Sequence, residues 1–223
     1  EIPIEYLRDF ERDIHSALRD IASVATGVIH PFIVDREAIS AAFWETESIL
    51  SRPSCDFVET NLEICLDYFR RKNEPRFVHL DLAVSSDSAG IACGYVDRFV
   101  EMQRGEHGIE VLPQIIFDFV LEVRPPKNGE INFAKIRALL YKLRDNGLPI
   151  HWVTMDSFQS KDTEQLLRQH GFETGQRSMD RTTKPYDLLK TALQDRRVLL
   201  PRHPKALKEL SRLERDPVAG KID

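Results

Sequence analysis

Apolar positions along the chain follow two different rhythms. From residue 76 they come in short runs that suit strands: "RFVHLDLAV" (76–84), "IACGYVDRFVEM" (91–102) and "IEVLPQIIFDFVLEV" (109–123). The turn clusters "SSDSAG" and "RGEHG" part them, and strands joined by such short turns form an antiparallel meander. "RPPKNGE" ends the meander. "INFAKIRALLYKLRDNG" then sets Ile131, Ala134, Ile136, Leu139, Leu140 and Leu143 on one side of a helix, with Gly147 as its stop. A fourth strand, "LPIHWVTMDSF", is followed by a short helix in "SKDTEQLLRQHG" and a fifth strand in "FETGQRSMD". Two helices close the chain, "KPYDLLKTALQDRR" with Pro185 in its first turn and "HPKALKELSRLERD". Before residue 74 the spacing is helical, with helices expected at 4–24, 35–50 and 57–73.

The resulting order, β-β-β-α-β-α-β-α-α, predicts an α/β fold. Three antiparallel strands followed by α-β units build a mixed sheet with flanking helices. A right-handed crossover lets the fourth strand lie beside the first. Residues 1–73 carry no recognisable chemistry and are expected to form a helical entry or linker segment. It would pack on a core spanning 74–223.

Composition narrows the class. The chain has 223 residues, 42% hydrophobic and 30% charged, which suits one sizeable soluble core. Its apolar runs are too short to cross a bilayer as a helix. Three cysteines without close spacing predict free thiols in a reducing compartment and no zinc site. The first residue is not Met, so the chain is expected to be a piece of a longer protein. Net charge is −5, against a generally basic nucleic-acid binder. Residues 1–150 hold 17 Lys and Arg against 25 Asp and Glu, whereas 151–223 hold 14 against 11. The mildly basic last third suits contact with a polyanion, although scatter accounts for such a difference equally well.

The chemistry begins with a misplaced charge: Asp81 interrupts an apolar strand, and Asp156 ends another. Neighbouring strands would bring the two together. Paired carboxylates repel, and a divalent cation removes that cost. Oxygen ligands suit Mg²⁺ or Mn²⁺, and two such ions about 4 Å apart activate water and stabilise the leaving oxygen of a phosphodiester. Either Asp alone is more simply read as a strand-end residue bonded to backbone or Arg. Asp87, in a turn, and Asp180, at a strand end, are weaker candidates. His79 falls on the same strand face as Asp81, where a packed, hydrogen-bonded role is the ordinary one. No phosphate loop, dinucleotide fingerprint, nucleophile elbow or HExxH pair occurs.

"FVHLDLAVSSDSAGIACGYV" resembles the first acidic motif in the nuclease domain of large terminase subunits, the DNA-packaging motors of tailed bacteriophages. "WVTMDSFQSKDTEQLLRQHGF" resembles the second acidic strand and its helix. The text from "SMDRTTKPYDLL" to the end is similar to the family's C-terminal helical region, and 2–33 to the entry from the preceding ATPase. The resemblance implies an RNase H-like fold and a metal-dependent endonuclease that cuts concatemeric double-stranded viral DNA in the host cytoplasm. It implies Asp81 as central ligand of Mg²⁺ or Mn²⁺, two ions in all, and Asp156 as the second ligand. In the family a third carboxylate sits in a Gly-Ser-Lys-Asp motif after a Lys–apolar–Asp–His–Pro stretch. Lys221, Ile222 and Asp223 match the start of that stretch, which places the third ligand beyond Asp223. The implied partners are DNA, an N-terminal ATPase domain, the portal and the small terminase subunit, with no membrane. For DNA, the basic residues flanking the acidic strands are candidates: Lys161, Arg181, Lys184, Arg196 and Arg197. Two rivals stand beside this reading. One is a catalytically incomplete module that clamps DNA or docks the motor. The other is a nucleotide-binding relative of the sugar-kinase and actin group, disfavoured because Ala83 stands where that group has Gly.

Overall fold

The computed structural model describes residues 31–43, 46–83, 87–104, 108–156, 161–177, 182–215 and 222. Helix α1 spans Arg36–Ala42, and two-residue strand β1 spans Ser54–Cys55. The meander is β2 (Arg76–Asp81), β3 (Ala89–Gln103) and β4 (Ile109–Val123). Then come α2 (Phe133–Asp145), β5 (Ile150–Met155), α3 (Lys161–Gln169) and β6 (Glu173–Gln176). The chain closes with α4 (Lys184–Gln194), β7 (Val198–Leu199) and α5 (Pro204–Leu210). The strands form one mixed sheet in the order β1-β4-β3-β2-β5-β6, with β7 also on β4. The β2-β3-β4 meander is antiparallel, and β5 lies parallel to β2, as the crossover argument expects.

The sheet separates two cores. On one face Val78, Leu80, Ile91, Cys93, Phe119 and Leu121 pack with Ile136, Leu139, Leu140 and Leu143 of α2. The α2 face arises from its 3.6-residue periodicity, and the Asn132 side chain caps its start by accepting from the Ala134 N–H. On the other face Val198 and Leu200 gather Ile39 and Phe43 from the α1 region with Ala192 and Leu193 of α4. This second layer packs against Phe117 and Val120 of β4. Phe77 of β2 and Trp152 of β5, on the same face, remain 44% and 39% exposed, and among the described residues this layer does not cover them.

One buried ion pair ties the meander together. Arg76 is fully buried, and its Nε and Nη2 donate to the Asp118 carboxylate at 3.0 and 3.2 Å. Its remaining donors go to the carbonyls of Arg70, Arg71 and Glu74, and its Cζ lies 4.0 Å from the Tyr95 ring centroid. Both partners sit at irregularities. The β2–β5 register slips after Arg76, and β3–β4 slips between Cys93 and Gly94, opposite Asp118. Bulges of this kind re-aim side chains. Gly94 permits the second one, since a Cβ there would meet the Ile116 carbonyl oxygen at 2.9 Å.

The expectations before residue 74 need correction. The expected helix at 35–50 ends at Ala42, and Ile49 and Leu50 are buried in the α2-side core. No α-helix forms over 57–73; a single 3₁₀ turn spans Leu66–Tyr68. Asp56 accepts from the N–H groups of Val58, Glu59 and Thr60, but Phe57 between them takes φ of 57°, outside the right-handed helical region, so the segment stays a turn. The expected helix at 4–24 lies outside the described residues. Strand one ends at Asp81 rather than Val84, and strand five ends at Gln176.

Breaking the ion pair from one side strands a buried charge. Arg76→Met or Asp118→Leu alone should each cost about 3–5 kcal/mol in urea denaturation, and the double substitution should cost less than either. Additive losses in the double variant would contradict this account of the pair.

Candidate functional site

The alternation of β2 decides where Asp81 goes. Arg76, Val78 and Leu80 are buried; Phe77, His79 and Asp81 turn to the opposite face. Asp81 is therefore exposed and does not occupy a core position, contrary to what its apolar surroundings suggest. Leu80 pairs with Met155, so Asp81 and Asp156 follow one another at the ends of adjacent parallel strands. Strands lie about 4.8 Å apart, which makes these residues neighbours. The carboxyl ends of parallel strands are where open α/β sheets bind ligands.

His79 registers both charges. Its Nδ1 lies 2.9 Å from Thr154 Oγ1, whose hydroxyl is 3.2 Å from the Val78 carbonyl. A Thr154 hydroxyl donating to Val78 leaves Oγ1 to accept from an Nδ1–H, and Nε2 is then the acceptor. Burial pushes the imidazole below its usual range, and the charges of Asp81 and Asp156 oppose that. His79 is thus a neutral, hydrogen-bonded side chain at neutral pH.

A cleft of about 340 Å³ opens beside Asp81. Asp81 pairs across β2–β3 with Gly90, and Gly90 pairs across β3–β4 with Glu122. Directly opposed residues share a sheet face, so Gly90 leaves a gap between the two acids. Asp87, Ser88, His203, Lys205 and Glu209 complete its polar lining. Glu122 accepts from Ser88 Oγ at 2.8 Å and from Lys205 Nζ at 2.5 Å. Burial raises the Glu122 carboxyl, but these bonds outweigh it and hold the group below its usual range. The sequence reading missed Glu122 and Lys205. Glu122 carries the same signal as Asp81, a carboxylate at the end of an apolar strand.

The other candidates are dispersed. Lys161 is exposed at the start of α3, and Lys184 is exposed at the start of α4. Arg181, Asp180 and Asp223 lie outside the described residues. The structure does not bring Arg196 and Arg197 to the acidic edge. Arg197 is buried, donating to Asp195 at 3.1 Å and to the Pro113 carbonyl at 2.7 Å. Arg196 donates to the Glu37 carbonyl. Asp195 also binds Arg104 at the far end of the β3–β4 hairpin. Gln103 at that end is about 40 Å along the strand from Gly90.

Two carboxylates fit a hard divalent cation, since Mg²⁺ is commonly held by one or two carboxylates together with substrate phosphates. Among the described residues no group of three or more His, Cys, Asp or Glu side chains is placed to hold a metal ion. No described helix is long and apolar enough to cross a membrane.

The same arrangement of strands and helices occurs in a known nuclease. The large terminase nuclease from thermophilic phage G20c superposes with a TM-score of 0.52 and 12% identity, over 82% of this chain and 84% of that one. This chain has the fold of a large terminase nuclease. A second G20c structure, with bound magnesium, gives a TM-score of 0.54 and 13% identity over 90% and 87% of the two chains. The mixed α/β sheet with flanking helices that the strand order predicts is therefore the observed fold, and these nucleases share it. No family model matches the chain, and no curated protein matches it in sequence.

The Glu122 bonds give the cleft a pH dependence. A carboxyl held below its unfolded value contributes stability above that value and loses it as pH falls through the lower, folded one. Glu122→Gln should therefore show a smaller loss of urea stability than the parent chain between pH 7 and pH 3.5. Equal losses in the two proteins would contradict the ion pair.

Proposed function

We propose that this chain is a metal-dependent endonuclease domain that cuts double-stranded viral DNA during genome packaging, with Asp81 and Asp156 as its metal ligands. The observation that carries this reading is the pair of acids at the ends of β2 and β5, on the sheet face that also bears exposed Phe77 and Trp152. The fold likeness to the G20c nuclease, solved with bound magnesium, supports it. In the longer protein the natural partners are an ATPase domain, the portal and the small terminase subunit, and the setting is the host cytoplasm.

Asp81 and Asp156 would hold Mg²⁺ or Mn²⁺, two ions when the site is complete, with a third carboxylate from outside the described residues. The bound metal would supply an activated water and charge stabilisation at the phosphodiester. The chain's own contribution is positional. Leu80 and Met155, buried beneath the acids, fix the strand ends. His79, bonded to Thr154, sits two positions before Asp81 on its face as a neutral neighbour that adds no competing charge. Lys161 and Lys184, free to reach outward, would meet DNA phosphates without reading sequence. Arg181 joins them in this proposal, whereas Arg196 and Arg197 are weaker candidates at the hairpin's far end.

Cleavage of supercoiled plasmid in Mg²⁺ or Mn²⁺ by the full-length protein tests the reading. Asp81→Ala should lower the rate by about 10³-fold, the worth of several kcal/mol of metal-borne stabilisation, while its melting temperature stays near that of the parent. Cleavage at the parental rate would sink the assignment. A parent that binds DNA but never cuts it under either metal would favour the clamping or docking module instead.

A further inference from the structure

The cleft beside Asp81 is lined by four carboxylates: Asp81, Asp87, Glu122 and Glu209. A phosphate entering it meets repulsion from these carboxylates. Among the described residues lining the cleft, Lys205 is the one permanently charged cation, and burial holds the neighbouring His203 below its usual pKa range. Lys205 is not buried: its side chain is 48% exposed, with Nζ held by Glu122 at 2.5 Å and near Glu209 at 3.6 Å. An ammonium has three donors, so this hold leaves capacity for another acceptor. Glu122 is itself anchored by Ser88 and stands in register with Asp81 across Gly90. The ammonium is thus fixed on the wall opposite Asp81, with a side-chain-free floor between them.

We infer that Lys205, positioned by Glu122, contacts a DNA phosphate across the Gly90 gap and seats the strand next to Asp81. Gly90 keeps the gap open, since a Cβ there would already stand 3.8 Å from Asp81 Cβ. This inference rests on the DNA reading above, but it concerns binding and does not depend on cleavage.

The test is binding of the full chain to a 30-base-pair mixed-sequence duplex, by fluorescence anisotropy in EDTA, across a salt series. Each phosphate contact contributes about 0.9 to the slope of log affinity against log salt. Lys205→Ala should reduce the slope by about one contact and weaken binding alike for unrelated sequences. Lys205→Arg should restore the slope, which a merely structural role for the lysine would not require. If the parent binds the duplex and Lys205→Ala binds with an unchanged slope, the Lys205 assignment is overturned and the DNA reading stands. If the parent does not bind duplex DNA at all, both are overturned.

Discussion

Everything at the acidic edge depends on how β2 is held, and β2 is held by Arg76. A fully buried guanidinium is tolerable only when its donors are satisfied, and here Asp118 and three backbone carbonyls take them. The pair spans β3 to join β2 to β4. It pins the first residue of β2 to the core face, and the two-residue period of a strand then does the rest. Val78 and Leu80 follow Arg76 inward, while His79 and Asp81 are sent outward. A slip of one residue would bury Asp81 and expose Leu80. The cost of burying an unpaired carboxylate and losing a Leu from the core therefore reinforces the register that the ion pair sets.

Among the described residues the two layers covering the sheet are unequal. The α2 side is covered from β4 to β5. The other side is covered around β4 and β7, where α1 and α4 meet. Between that layer and the β6 edge, Phe77, Asp81 and Trp152 are exposed, while His79, Thr154 and Asp156 are half-buried. At the opposite end of the long hairpin, Arg104, Asp195 and Arg197 form a separate network that fastens the hairpin to the end of α4. The molecule thus has an acidic end and a pinned far end, connected by two 15-residue strands.

The core of this architecture is readable from sequence because its elements obey local rules. The β2-β3-β4 meander, the amphipathic α2 and the parallel return of β5 follow from turn chemistry, periodicity and crossover handedness. Asp81 and Asp156 stand out in the sequence by the same rules, one as a charge within an apolar strand and the other at the end of one. The stretch 46–73 was misread as helical because its apolar residues have near-helical spacing. Their destination is the sheet, where Ile49, Leu50 and Phe69 fill the core in irregular backbone. The short strands β1 and β7 have too few residues to leave a pattern; they exist because β4 offers an edge. Glu122 carried the same signal as Asp81 at the end of an apolar strand, whereas its pairing with Lys205 depends on the placement of α5, which no local pattern shows. Arg197 reads as a free surface cation in sequence, yet Asp195 and Pro113 claim its donors.

The central claim, that Asp81 and Asp156 jointly hold a divalent cation, can be tested without a substrate. Paramagnetic Mn²⁺ added to the ¹⁵N-labelled chain broadens amide resonances near its binding site. The account predicts selective loss of signals around residues 80–82, 88–90 and 154–156, abolished by Asp81→Asn. Broadening centred elsewhere, or persisting around those residues in Asp81→Asn, would contradict it.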